Sequence, residues 1–238
     1  MLTLKRKLED IIIKDLSKKM VFLVGPRQVG KTFLAKTLSK NFKNTVYLNY
    51  DNFTDRKQIL NEAWLPDTEL LIFDEIHKME NFKQYLKGVY DTKREILKIL
   101  VTGSARLDFM RQWGDSLAGR FFSHRLFPFT PSEVKETSSF DDITLFISKS
   151  SFPEPFLAEN IEDVRRWRMQ YFDGLIREDI INFEKIHDLK IMKYLLELLK
   201  KRVCSPISYT SLAEDLHVSP NTIKKYIAGY AAALGGLD

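Results

Sequence analysis

The sequence predicts an α/β fold with a central parallel sheet, followed by a helical region and a terminal helix-turn-helix segment. Three observations predict it. Through the first half, short apolar runs alternate with amphipathic stretches. After Phe127-Pro128-Phe129-Thr130-Pro131 that alternation stops and long amphipathic segments take over. Near the end, two short helical segments flank a turn.

In chain order, the start MLTLKRKLEDIIIKDL is charged and amphipathic, and only Ile11 to Ile13 form an apolar run, so it does not read as a signal peptide. Met20 to Val24 reads as a buried strand. A helix is expected from Lys31 to about Lys40, with Phe33, Leu34, Thr37 and Leu38 on its inner side. Thr45 to Leu48 is the next expected strand, Glu69 to Phe73 the third, Leu97 to Val101 the fourth and Arg120 to Leu126 the fifth, with a helix over Phe82 to Asp91. Helices are expected over Ile161 to Phe183 and Leu189 to Val203. The expected parts are residues 1–130, carrying the parallel sheet, 131–204, a helical region, and 205–238, the helix-turn-helix.

The chain has 238 residues, enough to bury a full core without disulfides. Its single cysteine, Cys204, forms no internal disulfide, which fits a reducing compartment. No stretch approaches the roughly 20 apolar residues needed to span a bilayer. These features predict a cytoplasmic protein without a membrane partner. A net charge of +5 permits a polyanionic partner without demanding one.

Gly25-Pro26-Arg27-Gln28-Val29-Gly30-Lys31-Thr32 matches G-x-x-x-x-G-K-[ST] at every defined position, after an apolar strand and before a helix. Glycines let the backbone curl until successive N–H groups face phosphate oxygens, helped by the helix N-terminus. Lys31 supplies a mobile charge for the β- and γ-phosphates, and Thr32 a hydroxyl for magnesium. Gly25 to Thr32 and the next residue, Phe33, are the expected nucleotide contacts. No Asn-Lys-x-Asp sequence is present to read guanine, which favours ATP with Mg2+.

Leu70-Leu71-Ile72-Phe73-Asp74-Glu75 is an apolar run ending in two carboxylates. A buried parallel strand delivers its last residues to the carboxyl edge of the sheet, where ligands of open α/β folds bind. Adjacent strand residues point to opposite faces, so the two acids can differ in role: Asp74 toward magnesium, Glu75 as general base for the attacking water. Thr102-Gly103-Ser104-Ala105-Arg106 follows the fourth strand. Ser104 and Thr102, and more weakly Arg106, are candidates to sense the γ-phosphate; Ser104 as a helix N-cap is the alternative. Arg120, after Gly119, is a candidate to stabilise developing phosphate charge, in its own chain or a neighbour's, or else a surface residue opening a strand.

GPRQVGKT, LIFDEIHK, VTGSARL, LAGR and FPEPFL together resemble the AAA-type ATPases of bacteria and archaea that join an N-terminal AAA domain to a C-terminal domain of unknown function. The resemblance spans about residues 17 to 227. It implies a P-loop NTPase core of AAA type, then a helical part and a winged-helix-like segment. It assigns Lys31 and Thr32 to nucleotide and magnesium, Asp74 and Glu75 to the acidic pair, Ser104 or Arg106 to the first sensor and Arg120 to the arginine position. Where such proteins often carry a glycine pair before FPEP, this chain has Ser150-Ser151. They also continue well past residue 238, so the resemblance implies a further domain beyond this sequence. The tail Ala231 to Asp238 is compositionally unlike what precedes it.

Tyr209 to Leu216 and Ser219 to Ile227 have helix-turn-helix spacing, with Leu212, Ala213, Leu216, Val218, Ile223 and Ile227 expected to pack together. Ser219 is the expected N-cap, Pro220 the first helical residue. Asn221, Thr222, Lys224 and Lys225 then fall on or near the exposed face, where duplex DNA is contacted in such motifs. Packing and partner contact are the alternatives, and the basic clusters Arg165-Arg166-Arg168 and Lys200-Lys201-Arg202 fit phosphate or plain solvent. His77 makes the strand end Asp-Glu-Ile-His, as in certain helicases, but no second βα array follows residue 130. His124, His187 and His217 are scattered and give no zinc spacing. Trp64, Trp113 and Trp167 read as core or partner contacts, and Arg177-Glu178-Asp179 as salt-bridged surface.

The sequence therefore predicts a Mg-ATP hydrolase whose nucleotide state moves its helical parts. The rival readings are a nucleotide-gated DNA-binding switch with slow turnover and an ATPase module that binds a protein partner or a second copy.

Overall fold

A computed structural model of the chain describes residues 4–104, 117–137, 143–175 and 189–233. The chain divides into two compact units, Met1–Ile161 and Glu162–Asp238.

The first unit opens with helix α1 (Leu8–Leu16), which leads into strand β1 (Met20–Gly25). Helix α2 (Lys31–Ser39), β2 (Thr45–Asn49), α3 (Phe53–Leu60), β3 (Leu70–Asp74), α4 (Phe82–Lys93), β4 (Lys98–Ser104) and β5 (Phe121–Arg125) follow. The strands form one five-stranded sheet in the order β2-β3-β4-β1-β5, and every described pairing is parallel. The chain leaves β1, passes β4 and β3 to reach the β2 edge, and then steps back.

Both faces of the sheet are covered, which is why β1 and β3 are buried along their whole length. Alternation along each strand divides the core. Val21, Leu23, Leu70, Ile72 and Leu100 pack with Ile12, Leu16, Leu34, Ala35 and Leu38 of α1 and α2. Phe22, Val24, Leu71, Phe73, Ile99 and Val101 pack on the other face with Ile59, Phe82, Leu86 and Val89 of α3 and α4. The five expected strands all form, with ends shifted by a residue or a few.

Two expectations need correction. The inner stripe of α2 is Lys31, Leu34, Ala35 and Leu38, whereas Phe33 is exposed and Thr37 half-buried. With α2 starting at Lys31, the 3.6-residue period sets positions 34, 35 and 38 inward and turns 33 out. Helix α3 was not foreseen from the apolar pattern, because it is only weakly amphipathic. Its start is marked instead by Asn52, whose side chain accepts from the backbone N–H groups of Thr54 (2.9 Å) and Asp55 (3.1 Å).

Three further helices, α5 (Pro131–Thr137), α6 (Ile143–Lys149) and α7 (Pro153–Leu157), belong to the first unit, although a boundary near 130 was expected. Leu4, Phe129, Val134 and Phe156 form one apolar cluster that joins this segment to the start of the chain. Beside it lies a buried ion pair: Arg6 Nε donates to Glu133 Oε1 at 3.0 Å, with both side chains under a tenth exposed. Arg6 also donates to the carbonyls of Val29 (3.3 Å) and Phe127 (2.5 Å), while Glu133 accepts from the backbone N–H groups of Lys7 (3.1 Å) and Thr130 (3.0 Å).

In the second unit, α8 (Ile161–Gly174, which starts at the boundary) stacks Trp167 on Tyr171 with ring centroids 4.7 Å apart. Helix α9 (Leu189–Lys201) precedes α10 (Tyr209–Leu216) and α11 (Pro220–Ala233). Ser208 caps α10 by accepting from Ser211 N at 3.3 Å, and Ser219 accepts from Thr222 N at 3.1 Å at the start of α11. The turn between them passes through His217 in the left-handed region, φ 53°. Leu212, Ala213 and Ile223 are buried, and Tyr230 Oη donates to Met192 O of α9 at 2.8 Å. Arg177, Glu178, Asp179, His187 and the tail from residue 234 lie outside the described residues.

The Arg6–Glu133 pair gives a measurable expectation. Burial pushes the Glu133 carboxyl up, but the Thr130 N–H, the Arg6 guanidinium and the Lys7 N–H outweigh it and hold the carboxyl below its ordinary value of 4.5. Stability from Glu133 is therefore complete above the ordinary glutamate range and is lost as pH falls through the lowered folded-state value. Glu133→Gln leaves the Arg6 charge buried and unpaired, so it should cost about 3 kcal/mol at neutral pH and far less in acid, measured by urea unfolding.

Candidate functional site

The loop between β1 and α2 leaves the sheet at its carboxyl edge. Two backbone features make its residue choice intelligible. A side chain at Gly25 would put its Cβ 2.4 Å from the Leu126 carbonyl oxygen, because the chain after β5 runs directly over it. Gly30 has φ +96° and Gln28 has φ 58°, both left-handed, so the backbone curls back on itself before α2 begins. Such a curl turns successive N–H groups into one concavity, which favours anions.

Lys31 heads α2 with its side chain folded over the loop. Its Nζ donates to the carbonyls of Gly25 (2.9 Å) and Pro26 (2.7 Å) and is 8% exposed as a residue. The next residue turns toward the end of β3: Thr32 Oγ1 donates to Asp74 Oδ2 at 2.9 Å. Phe33, expected among the nucleotide contacts, points away from the core and is 55% exposed.

Asp74 is nearly buried and receives two more hydroxyls, from Tyr47 Oη on Oδ2 (2.6 Å) and from Thr102 Oγ1 on Oδ1 (2.5 Å). The parallel register brings these together. Asp74 pairs with Thr102 of β4, and Tyr47 of β2 pairs with Ile72, two residues earlier on the same face. Tyr47 was not foreseen, since an aromatic in a strand reads as core. Thr102, a candidate to sense the γ-phosphate, is fully buried against Asp74.

Glu75 follows Asp74 but leaves the strand pattern, with φ 57°. Its backbone N–H donates to Thr102 O at 3.1 Å. Its carboxylate lies 3.5 Å from His77 Nε2 and 3.5 Å from Lys78 Nζ, and Lys78 is itself bonded to Asp51 Oδ2 at 2.5 Å. Desolvation, partly offset by the Lys78 charge and reinforced by Asp74, pushes the Glu75 carboxyl above its ordinary value of 4.5. The two adjacent acids thus sit in different surroundings, one satisfied by hydroxyls, the other half-hidden and reluctant to ionise.

Ser104 closes β4 opposite Gly25, beside the loop. Arg106 and Trp113 lie outside the described residues. Arg120, a candidate for its own chain's phosphate or a neighbour's, lies away from its own loop. It immediately precedes β5, and its carbonyl accepts from Met20 N at 3.1 Å, at the amino edge of the sheet and the opposite end of β1 from the loop. There its guanidinium grips Asp91 of α4 with Nε–Oδ1 at 2.8 Å and Nη2–Oδ2 at 3.0 Å. Of the remaining sequence candidates, His124 contacts Asp15 at 2.8 Å and Trp64 lies under Lys93, whose Nζ is 4.9 Å from the ring centroid.

A parallel sheet with this loop and an acidic strand end at one edge is a P-loop NTPase-like fold. Residues 17–135 match the AAA domain family, half of the chain, and the protein belongs to that family. Residues 140–229 match a domain of unknown function. An uncharacterised protein of Methanocaldococcus jannaschii is 26% identical over 234 residues, an alignment covering 87% of this chain and 52% of that one. The chain thus spans about half the length of this curated relative. Among solved structures, a Walker-type ATPase of Pyrococcus abyssi shares the fold, with TM-score 0.61 at 13% identity over 97% of this chain and 90% of that one. The RuvB Holliday junction branch migration motor of Thermotoga maritima aligns with TM-score 0.48 at 17% identity, over 94% of this chain and 85% of that one.

Gly25→Ala should lower the urea unfolding midpoint by an amount equivalent to about 1–3 kcal/mol, since neither β1 nor the backbone at Leu126 can retreat from the new methyl without strain. Gly88→Ala, in the open on α4, should not.

Proposed function

We propose that the protein binds ATP with magnesium at the β1–α2 loop and hydrolyses it. The observation that carries this reading is the convergence, beside a phosphate-type loop, of the Thr32 hydroxyl and the Asp74 carboxylate at 2.9 Å. A hydroxyl and a carboxylate oxygen are the hard donors that magnesium takes, so the residues present fit the ion, with Thr32 and Asp74 as its holders. Thr32 and Asp74 would hold the ion, which would supply positive charge against that developing on the phosphates during transfer.

The chain's own groups divide the remaining work. Backbone N–H groups from Gly25 to Thr32 hold the phosphates at the positive end of α2. Lys31 exchanges its two carbonyl partners for phosphate oxygens, the better acceptors for an ammonium. Glu75 takes a proton from the attacking water, and its raised pKa brings its basicity nearer to neutral pH. Ser104, which pairs with Gly25 at the end of β4, is the candidate for sensing the γ-phosphate. Arg120 sits at the wrong edge for its own loop, which supports action on a neighbouring copy's nucleotide, with Asp91 holding the guanidinium meanwhile.

The geometry of α10 and α11 favours one addition. Asn221, Lys224 and Lys225 are exposed on the second helix of a helix-turn-helix, and nucleotide-gated contact with duplex DNA is the second reading. Nearby, Arg202 is paired with Asp215 at 2.8 Å. Binding by this face predicts an affinity that falls steeply with salt and is lost in Lys224→Glu with Lys225→Glu.

Three outcomes test the main reading. Lys31→Ala should lose ATP binding, whereas Glu75→Gln should keep it and lose about 100-fold or more in turnover, measured by nucleotide fluorescence titration and phosphate release. Turnover should fall on the acid side as pH drops through the raised Glu75 value, at a higher pH than an unperturbed glutamate gives. Arg120→Ala should lose on the order of 1000-fold, and mixing it with inactive Lys31→Ala should restore activity if the arginine serves a neighbour. Normal hydrolysis by both Lys31→Ala and Glu75→Gln would falsify the assignment.

A further inference from the structure

We infer that Tyr47 is a positioning residue for the divalent cation: its phenol fixes the Asp74 carboxylate beside Thr32 so that the charge faces the metal. The inference rests on the proposed reading of the loop as a magnesium–nucleotide site and names a residue outside both sequence motifs of that site.

The sheet register makes Tyr47 suited to this. Asp74 pairs with Asn49, and Tyr47 lies two residues before Asn49 on the same strand face. It is therefore a diagonal neighbour of Asp74, a separation that a long side chain with a donor at its tip can span and a serine or threonine cannot. The phenol reaches Oδ2 at 2.6 Å. On the other side Lys36, one turn beyond Thr32 on α2, lies with Nζ 4.9 Å from the tyrosine ring centroid. The ring also packs against the apolar cluster beneath α1 and α2. Both α2 and the strand thus fix where the hydroxyl sits.

The three hydroxyls on Asp74 have unequal tasks. Thr102 holds Oδ1 at 2.5 Å, and Tyr47 and Thr32 share Oδ2 at 2.6 and 2.9 Å. Thr32 is the one that would hold the cation, and without its bond to Oδ2 the tyrosine would remain as that oxygen's donor. Hydroxyls satisfy lone pairs without adding a positive charge, so the carboxylate is kept oriented toward the place where a cation would sit.

Tyr47→Phe keeps the ring and removes the donor. In the full chain, ATP affinity in EDTA should match wild type, while affinity for Mn2+ in the presence of ATP, read by the Mn2+ electron paramagnetic resonance signal, should weaken about tenfold. The Mn2+ or Mg2+ concentration giving half-maximal hydrolysis should rise by the same factor, and excess metal should restore turnover. Asp74→Asn is the reference for complete loss of the metal response. Wild-type Mn2+ affinity in Tyr47→Phe, against a wild type that binds Mn2+ with ATP, overturns the inference and leaves the proposed function standing. A parallel loss of EDTA-phase ATP affinity and thermal stability also overturns it, because that marks a general packing role. A wild type that binds no ATP removes the proposed function, and the inference with it.

Discussion

A parallel sheet covered on both faces can keep polar chemistry only at its edges. Here α1 and α2 lie on one face and α3 and α4 on the other, so β1 and β3 carry apolar side chains in both directions. Within those strands any charge would be stranded in a low-dielectric layer. The first tolerable places are the strand ends, and parallel register brings the carboxyl ends of β1, β3 and β4 level: Gly25 opposite Ser104, Asp74 opposite Thr102. The loop, the acidic pair and the hydroxyls around them follow from that one constraint. So does their closeness, since neighbouring strands lie only about 5 Å apart.

That edge sets two consecutive carboxylates to different ends. Asp74 still belongs to the strand and faces α2, where Thr32 awaits it. Glu75 has entered the left-handed region, so its side chain leaves the sheet on the side of Asp51, His77 and Lys78. Asp74 is surrounded by hydroxyl donors, whereas burial of Glu75 disfavours its charged form. In the proposed reading the first environment suits a cation's ligand and the second a proton acceptor. The difference comes from one backbone torsion more than from side-chain chemistry, because the two acids differ by one methylene.

How much of this was legible in the sequence depended on how local each signal was. The loop and the Asp74-Glu75 pair lie within short segments whose spacing carries their meaning, and their strands could be read from apolar runs. Tyr47 and Thr102 could not be linked to Asp74 that way, since the link requires knowing that β2 and β4 flank β3. Arg120 shows the same limit from the other side: its neighbours in sequence identify a strand start, but only the sheet reveals that a strand start is the far edge from the loop. Asn52 did carry a local signal, an asparagine three residues before Asp55, and the weak amphipathicity of α3 hid it. The buried stripe of α2 was misread by one position because its first turn is set by Gly30, not by the apolar residues that follow.

The Arg6 side chain extends the site beyond the residues that define the family. The AAA match begins at residue 17, yet Arg6 donates to the carbonyl of Val29 inside the loop and to that of Phe127 just past β5. Its charge is matched by Glu133, which in turn gathers the N–H groups of Lys7 and Thr130. A guanidinium can satisfy several acceptors at once in a fixed plane, so one residue sets the spacing of three segments. A loop that must curl through two left-handed residues is anchored on its apolar side by Val29, which is buried in the cluster beneath α1 and α2. The carbonyl of that same residue is held by a charge that cannot leave without exposing an unpaired carboxylate. The loop's curvature is therefore a property of the chain's first residues and of α5 as much as of the glycines within it.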